Sequence, residues 1–431
     1  RAPDQHLPAP YELVTVYRYN SLNQVVTQQT PDGGLSKFWY DRLGRLVVSE
    51  NAKQREEGNY SYTKYDAIGR ITEVGQKKQT QHMSQATSRS PEVLEAWLNY
   101  KNYDVTYWPR QVTWTQYDET SPYVSVYGSH TPFRQKAHTL RNRVSRIVYY
   151  DLLHINTHIS GGDTTYIPVN NYFTTAIEYS YDIHGNVDSM LNIAGAGTLP
   201  ENFGAQAYKY IAYKYDLISG KVNEVHYNAG FADEFYHRYE YDADNRITDV
   251  YTTEHKPFLY QTGLEEHEAH YQYYKHGPLA RMVLGQLQVQ GVDYAYTLQG
   301  WLKGVNSTAL NPDYDMGEDG KAGGAHSHVA RDVYSYQLNY FNGDYLPVNS
   351  NVRPFAGHSA YLATRELFNG NISSMAVNIG KFEMPQLYSY TYDQLNRITG
   401  MNVHRELDTE NNLWTSRVSN IVDDYKERVS Y

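Results

Sequence analysis

Aspartates and histidines offer the first chemistry to weigh in this sequence. Asp313, Asp315, Asp319 and Gly320 fall in one Gly- and Asp-rich stretch and invite a calcium loop. The template fails, because counting from Asp315 places Gly317 third and His326 twelfth, where a bidentate glutamate is needed. The stretch 311–330 therefore reads as a long solvated loop. His154 and His158, with Asp151 nearby, have a spacing that suits a metal on a helix, but their Tyr-rich surroundings read as strand. His326 and His328 would share a strand face, and neither histidine pair has a third ligand in sequence, so both read as surface pairs. Gly357-His358-Ser359-Ala360-Tyr361 approaches a nucleophile elbow without its second glycine, and Gly317-Glu318-Asp319-Gly320-Lys321 lacks the length and hydroxyl residue of a phosphate loop. A carboxylate pair for glycoside hydrolysis is open on numbers alone, but spacing along the chain does not establish one. No catalytic residue, cofactor-binding residue or metal ligand is assigned.

Asp41, Asp66, Asp182, Asp242 and Asp393 share one context instead. Tyr40-Asp41-Arg42-Leu43-Gly44-Arg45-Leu46 returns as Tyr65-Asp66-Ala67-Ile68-Gly69-Arg70-Ile71, as Tyr181-Asp182-Ile183-His184-Gly185-Asn186-Val187, as Tyr241-Asp242-Ala243-Asp244-Asn245-Arg246-Ile247 and as Tyr392-Asp393-Gln394-Leu395-Asn396-Arg397-Ile398. A catalytic residue has no reason to recur in every copy; a turn residue does. The Asp can accept backbone N–H bonds, and Gly or Asn three residues later tolerates positive φ. Each Tyr ends an incoming strand and each Leu, Ile or Val after the Arg opens the outgoing one. The Arg can stack on a ring or pair with a carboxylate of the neighbouring hairpin. Tyr17-Arg18-Tyr19-Asn20-Ser21-Leu22-Asn23 is a degenerate copy with Asn for both Asp and Gly. Tyr215-Asp216-Leu217-Ile218-Ser219-Gly220-Lys221 lengthens the turn, whereas the copies at Tyr274 and Tyr296 drop the Asp. Tyr103-Asp104 and Tyr117-Asp118 lack the Gly-Arg and read as strand ends at most.

These residues carry a resemblance. The sequence resembles the RHS or YD-repeat family, and Gly33 or Gly34 through Leu46 meets that family's longer signature in full. Gln299-Gly300-Trp301-Leu302-Lys303-Gly304-Val305-Asn306, Tyr336-Gln337-Leu338-Asn339-Tyr340 and Phe368-Asn369-Gly370-Asn371-Ile372-Ser373 resemble blocks of long RHS proteins secreted by Gram-negative bacteria. The resemblance implies an all-β fold in which hairpins form a continuous spiralling sheet, a shell or barrel, around a toxin or effector segment. It also implies export, with type 9 and type 6 machinery both open. Shell-forming relatives commonly end in a paired Asp-Pro-x-Gly pattern whose aspartates are linked to self-cleavage. This sequence has no Asp-Pro dipeptide, so autoproteolysis is not assigned to it.

Composition agrees with a wetted sheet. Tyr numbers 45 against 11 Phe and 6 Trp, with a mean hydropathy of −0.69. A ring that buries its body and keeps a hydroxyl for water or backbone suits such a sheet better than a dry two-layer core. The formal charge of −10, without a Lys/Arg run, argues against a nucleic-acid partner. Cysteine is absent, which excludes disulfides and thiolate metal sites. No apolar run approaches the roughly 20 residues of a membrane helix, and Arg1-Ala2-Pro3-Asp4 does not open a signal peptide.

The expectation is a single YD-repeat segment over residues 1–431, part of a longer polypeptide, with an extended Pro-rich entry over 1–10 and an irregular insertion over about 76–145. A small helix is expected near 90–101, with Ser90 as N-cap, Pro91 first, and Val93, Leu94, Trp97 and Leu98 on one face. Strands should resume over 333–346 and 368–405. Function is expected to be non-enzymatic carriage of a C-terminal toxin or effector, secreted or at the cell surface. A cell-surface adhesion or glycan-binding module is the alternative, and a repeat-built hydrolase ranks behind both.

Overall fold

The computed structural model describes residues 14–98, 107–119, 139–153, 155–160, 163–168, 173–195, 207–255, 265–359, 365–382, 384–416 and 427–429. Within them the chain is nearly all β and antiparallel, as the repeat predicts. It divides into two compact units. One takes in the described residues up to Lys214 with His226–Ala232, and the other takes in Tyr215–Val225 and the described residues from Asp233 onward.

In the first unit each long strand pairs with the next in sequence: Val16–Tyr19, Val25–Thr30, Gly34–Tyr40, Leu46–Glu50, Asn59–Tyr65, Ile71–Lys78, Arg110–Tyr117, Val144–Leu152, Thr175–Tyr181, Val187–Ala194 and Tyr208–Tyr215. A separate hairpin of Ile155–Ser160 and Asp163–Pro168 stands aside from this meander. His158 lies in its first strand, in line with the strand reading, while His154 lies outside the described residues.

In the second unit the same rule links Phe235–Tyr241, Ile247–Thr253, Glu266–Tyr273, Leu279–Leu284, Gln290–Tyr296, Leu302–Val305, Tyr334–Asn339, Ser374–Ile379, Gln386–Tyr392, Ile398–His404 and Glu427–Arg428. Val333 and residues 340–346 and 368–373, expected as strand, lie outside strands, and Gly380–Phe382 is a 3-10 turn. A small sheet joins Gly357–His358 to Leu413–Trp414 in parallel and Leu407–Asp408 to Leu413–Trp414 antiparallel.

Burial alternates along the strands, as in Thr175–Tyr181 and Gln290–Tyr296. The buried positions carry many polar groups, including Ser180, Ser189, Asp293, Ser335 and Gln337. Apolar packing is therefore confined to local clusters, one around Val112, Tyr150, Leu191 and Ile193, another around Val48, Tyr60, Tyr62 and Trp97, and a third around Ala376, Leu387 and Trp414.

Among the described residues the α-helices are short and sit in the first unit, and the second has a single 3-10 turn, Gly380–Phe382. Pro91–Leu98 follows a second helix, Gln85–Arg89, and buries Trp97 and Leu98, with Leu94 packed beside them. Val93 is exposed, which corrects its expected place on the packed face: the buried stripe is set by Trp97, whose ring meets Tyr60 edge-on at 5.2 Å and whose Nε1–H donates to the Gln81 carbonyl. Residues 99–101, at the expected end of this helix, lie outside the described residues, as do Tyr103-Asp104 and the entry over 1–10. A further helix, Ala52–Glu57, was not expected; it opens on a capping box in which Asn51 and Gln54 satisfy each other's backbone N–H.

Candidate functional site

The turn of each repeat is built by its aspartate. In the first full copy Gly44 N–H donates to the Asp41 carbonyl and Asp41 N–H to that of Arg45, closing a turn with a one-residue bulge. Asp41 Oδ1 accepts from the Leu43 and Arg45 N–H groups, and Oδ2 takes the Arg45 guanidinium at 2.7 Å. Asp66 with Arg70, Asp242 with Arg246 and Asp393 with Arg397 reproduce every one of these bonds. Asp182 does the same with Asn186 in place of arginine. The last turn position is left-handed throughout, with φ of 81° at Gly44, 91° at Gly69, 98° at Gly185, 61° at Asn245 and 63° at Asn396. Each carboxylate thus serves its own turn. Burial would raise the carboxyls of Asp66 and Asp182, but the bonds they accept hold both below the usual range; Asp242 and Asp393 are held down chiefly by the backbone N–H of Arg246 and Arg397.

The tyrosine joins one hairpin to the one before it. The Tyr65 hydroxyl donates to the Leu46 carbonyl at 2.8 Å, and Arg45 lies 4.5 Å over the Tyr65 ring. Backbone pairing between these two hairpins runs through Val48↔Tyr62 and Ser49↔Ser61 and stops short of Leu46, so the phenol satisfies a carbonyl the ladder leaves over. The same bond, at 2.7–3.0 Å, links Tyr40 to Val25, Tyr117 to Ile71, Tyr181 to Val144, Tyr241 to Val222, Tyr273 to Ile247, Tyr340 to Leu302 and Tyr392 to Ile372. Arg70, Arg143 and Arg246 cover Tyr117, Tyr181 and Tyr273 at 4.2, 5.4 and 4.5 Å. Where arginine is missing before Leu302, the Trp301 ring packs on Tyr340 at 5.0 Å. Tyr65→Phe should cost about 0.5–1.5 kcal/mol, the net value of one such bond. Arg45→Ala should lose roughly 0.5–1 kcal/mol of cation–π attraction. A double-mutant cycle followed by denaturant unfolding should show coupling between them; additive losses would mean that the ring and guanidinium do not act as one junction.

This geometry reveals repeats that the sequence hides. Tyr117-Asp118 is a full repeat, not a mere strand end: Asp118 N–H bonds the Arg143 carbonyl, Asn142 takes the left-handed position at φ 60°, and Tyr117 pairs with Val144. The turn has been opened by an insertion between Asp118 and Asn142, which removed the Gly-Arg from view. Near Tyr274 the lock belongs to Tyr273, and Tyr274 stands where the Asp would be, its N–H on the Pro278 carbonyl.

The loop over 311–330 departs from expectation. It is strand-free, but Asp315 and Asp319 are buried rather than solvated. Arg281 and Asp293, on adjacent strands, close over it: Arg281 Nη1 meets Asp293 Oδ2 and Nη2 meets Asp319 Oδ1, each at 2.5 Å. Asp332 faces the same group, and its Oδ1 accepts from Gln290 Nε2 at 3.2 Å. One oxygen each of Asp315, Asp319 and Asp332 is buried without a hydrogen-bond partner. One guanidinium cannot neutralise four buried carboxylates, so protons must be retained. Burial, followed by repulsion from Asp315, pushes Asp332 up to about 9, and burial pushes Asp293 up to about 6 against the pull of Arg281. Asp293, Asp315 and Asp319 bring one oxygen each within 4.8 Å and could hold a cation, but Arg281 already occupies two of the three carboxylates. His326 and His328, expected on a strand, lie in turns of this loop, and the His326 ring reaches the Gly317 carbonyl.

A second buried charge lies beside a cavity of about 920 Å³. Lys303 donates to Asp344 at 2.7 Å and to Asn339 at 2.8 Å, and Asp344 also accepts the Tyr340 N–H. Burial lowers the Lys303 pKa, and burial followed by the Lys303 charge lowers His358 to about 4. His358 therefore stays neutral near pH 7, and Ser359 N–H is taken by the Trp414 carbonyl, so Gly357-His358-Ser359 sits in a two-strand ladder, not an elbow. Arg281, Asp293 and Asp344 carry no pattern that marks them in the sequence, and Lys303 stands there only as part of a repeat block, because their charged partners lie 12 to 41 residues away. Their one local signal is a charge at an inward strand position, Arg281 in Leu279–Leu284 and Asp293 in Gln290–Tyr296.

No protein-family model matches the chain, and no curated protein matches it. Among solved structures, the crystal structure of TcdB2-TccC3-Cdc42 aligns at 12% identity over 90% of this chain and 14% of that chain, with a TM-score of 0.48. TcdB2-TccC3 without its hypervariable C-terminal region aligns at 12% identity over 92% and 16%, with a TM-score of 0.46. The Photorhabdus luminescens Tc holotoxin pore bearing a TccC3 point mutation aligns at 12% identity over 91% and 16%, with a TM-score of 0.38. The chain thus spans 14–16% of the length of these structures.

Proposed function

We propose that this chain is a non-enzymatic shell segment of the RHS type, which encloses or carries a C-terminal toxin or effector segment of the same polypeptide through export and delivery. The observation that carries the reading is the repeated Tyr-to-carbonyl lock. Among the described residues eight tyrosines fasten a hairpin to its predecessor by the same bond, and this suits a wall extended hairpin by hairpin with its strand edges paired. An adhesion or glycan-binding module would gather its aromatics at one open cleft. Here the locking tyrosines spend their hydroxyls on backbone carbonyls, which supports the wall. On this reading the protein is secreted or displayed at the cell surface, through type 9 or type 6 machinery, and no helix among the described residues is long and apolar enough to cross a membrane.

The test is a low-resolution envelope of the full-length parent protein by electron microscopy or solution scattering. The expected result is a hollow particle with internal density attached to its C-terminal end. A solid or rod-like particle would overturn the shell and bring adhesion to the front.

A further inference from the structure

Strands Ile247–Thr253 and Glu266–Tyr273 carry an irregularity that places chemistry. Asp249 pairs with His270 and Val250 with Ala269, but Tyr251 pairs with His267, so Glu268 is an extra residue without a partner opposite. In a regular strand residues 267 and 270 would point to opposite faces. The bulge brings His267 round to the face of His270 and Asp249. Asp249 Oδ1 then lies 2.9 Å from His267 Nε2 and 2.8 Å from His270 Nδ1. All three donor atoms fall within 4.8 Å of one another.

We propose that Asp249, His267 and His270 form a binding site for a divalent transition metal of the zinc class, with its remaining position open to water. Zinc–nitrogen and zinc–oxygen bonds of about 2.0–2.2 Å in a tetrahedron separate neighbouring ligand atoms by roughly 3.3 Å. The two measured separations lie slightly inside that spacing, so modest rotations of the rings seat the ion. Two imidazoles with one carboxylate select zinc, copper or nickel over calcium and magnesium, which favour oxygen. Both rings are about one-third exposed, at 32% for His267 and 38% for His270, so the ion and its water have access, while Asp249 is more enclosed at 14%.

The ring of His267 is held in place before any metal arrives. Tyr251 stacks on it at 4.6 Å and 17°, and Arg238 covers Tyr251 at 3.9 Å, itself gripped by Glu265 at 2.7 Å. Glu265 and Glu240 both pair with Arg238, so its charge does not oppose a cation nearby. The acidic group at Arg281 lacks these features, being closed by its own guanidinium. This inference is independent of the shell reading, because it concerns one hairpin face whatever the particle encloses.

Titrating zinc chloride into the chelator-stripped full-length protein by calorimetry, at pH 7.5 and again at pH about 5.5, tests the site. The expected result is one saturable event absent from His267→Ala/His270→Ala, weakened at least about tenfold in Asp249→Asn, and weakened at the lower pH, where protons compete for the imidazoles. Cobalt should give the visible absorption of a tetrahedral centre in the wild type alone. Asp249→Asn keeps the shape of the side chain, and circular dichroism confirms that each variant is folded. Zinc binding of equal stoichiometry and affinity in the folded double variant, or no stoichiometric binding by the wild type, overturns the proposal.

Discussion

Replacing Arg281 with methionine should destabilise the second unit by about 3–5 kcal/mol, the usual cost of removing one partner from a buried ion pair. Arg281 is 3% exposed and is the only cation whose bonds hold both Asp293 and Asp319 among the described residues. Without it four buried acidic side chains lose the cation that bonds Asp293 and Asp319. Guanidinium chloride unfolding of the full chain, read through tryptophan fluorescence, measures the loss. Adding Asp293→Asn and Asp319→Asn to Arg281→Met should recover part of it, because the repulsion goes with the charges. A loss below about 1 kcal/mol in the single variant would mean that the cluster is already neutral by protonation.

The same cluster fixes the sign of the pH dependence. A carboxyl whose folded pKa is raised leaves the native state holding more protons than the unfolded chain. Its contribution is fully present below about pH 4 and is lost as pH rises through the folded value. Asp293, at about 6, and Asp332, at about 9, therefore make the fold less stable from mildly acidic to alkaline pH. The turn aspartates Asp66, Asp182, Asp242 and Asp393 act oppositely, since their lowered pKa values make their contribution vanish only as pH falls below the ordinary carboxylate range. Asp332→Asn mimics the protonated acid, so it should match the wild type near pH 4, exceed it in stability at pH 7 and flatten the decline between about pH 4 and 9. Thermal unfolding across that range decides; an unchanged slope would assign the alkaline loss elsewhere.

What could be read in the sequence follows the range of the interaction. Asp41 and Arg45 act within five consecutive residues, so the turn, its left-handed Gly44 and the strands on either side were legible as a pattern. Tyr65 reaches Leu46 across 19 residues, and the recurrence betrayed its importance without its partner. The insertion after Asp118 broke the pattern although the bonds survived, so the repeat there was missed. Buried charges were least legible, because Asp319 finds Arg281 across 38 residues and a Gly- and Asp-rich string looks solvated until a guanidinium closes over it. The site at Asp249 depends on a bulge, and one extra residue in a strand leaves no mark on a motif.

Asp344→Asn should be the second costly substitution. Lys303 is 4% exposed, and Asp344 is its only anionic partner among the described residues, supported by the neutral oxygen of Asn339. Asparagine keeps the shape and can still accept the Tyr340 N–H, so the change isolates the charge. Stranding a buried ammonium costs about 3–5 kcal/mol. The penalty should also depend on pH in a defined direction. Burial already lowers the Lys303 pKa, so the native state holds fewer protons than the unfolded chain between that value and about 10.4, and stability rises with pH across that window. Removing Asp344 lowers the folded pKa further and widens the window downward. The loss should therefore be greatest near neutrality and shrink toward pH 10, where the amine sheds its proton and the buried charge disappears. Lys303→Met in the Asp344→Asn background should restore most of the stability at pH 7, since it removes the stranded charge while keeping the stem packed near Phe355. A penalty that is equal at pH 7 and pH 10 would show that Asp344 acts through the Tyr340 turn and not through the lysine.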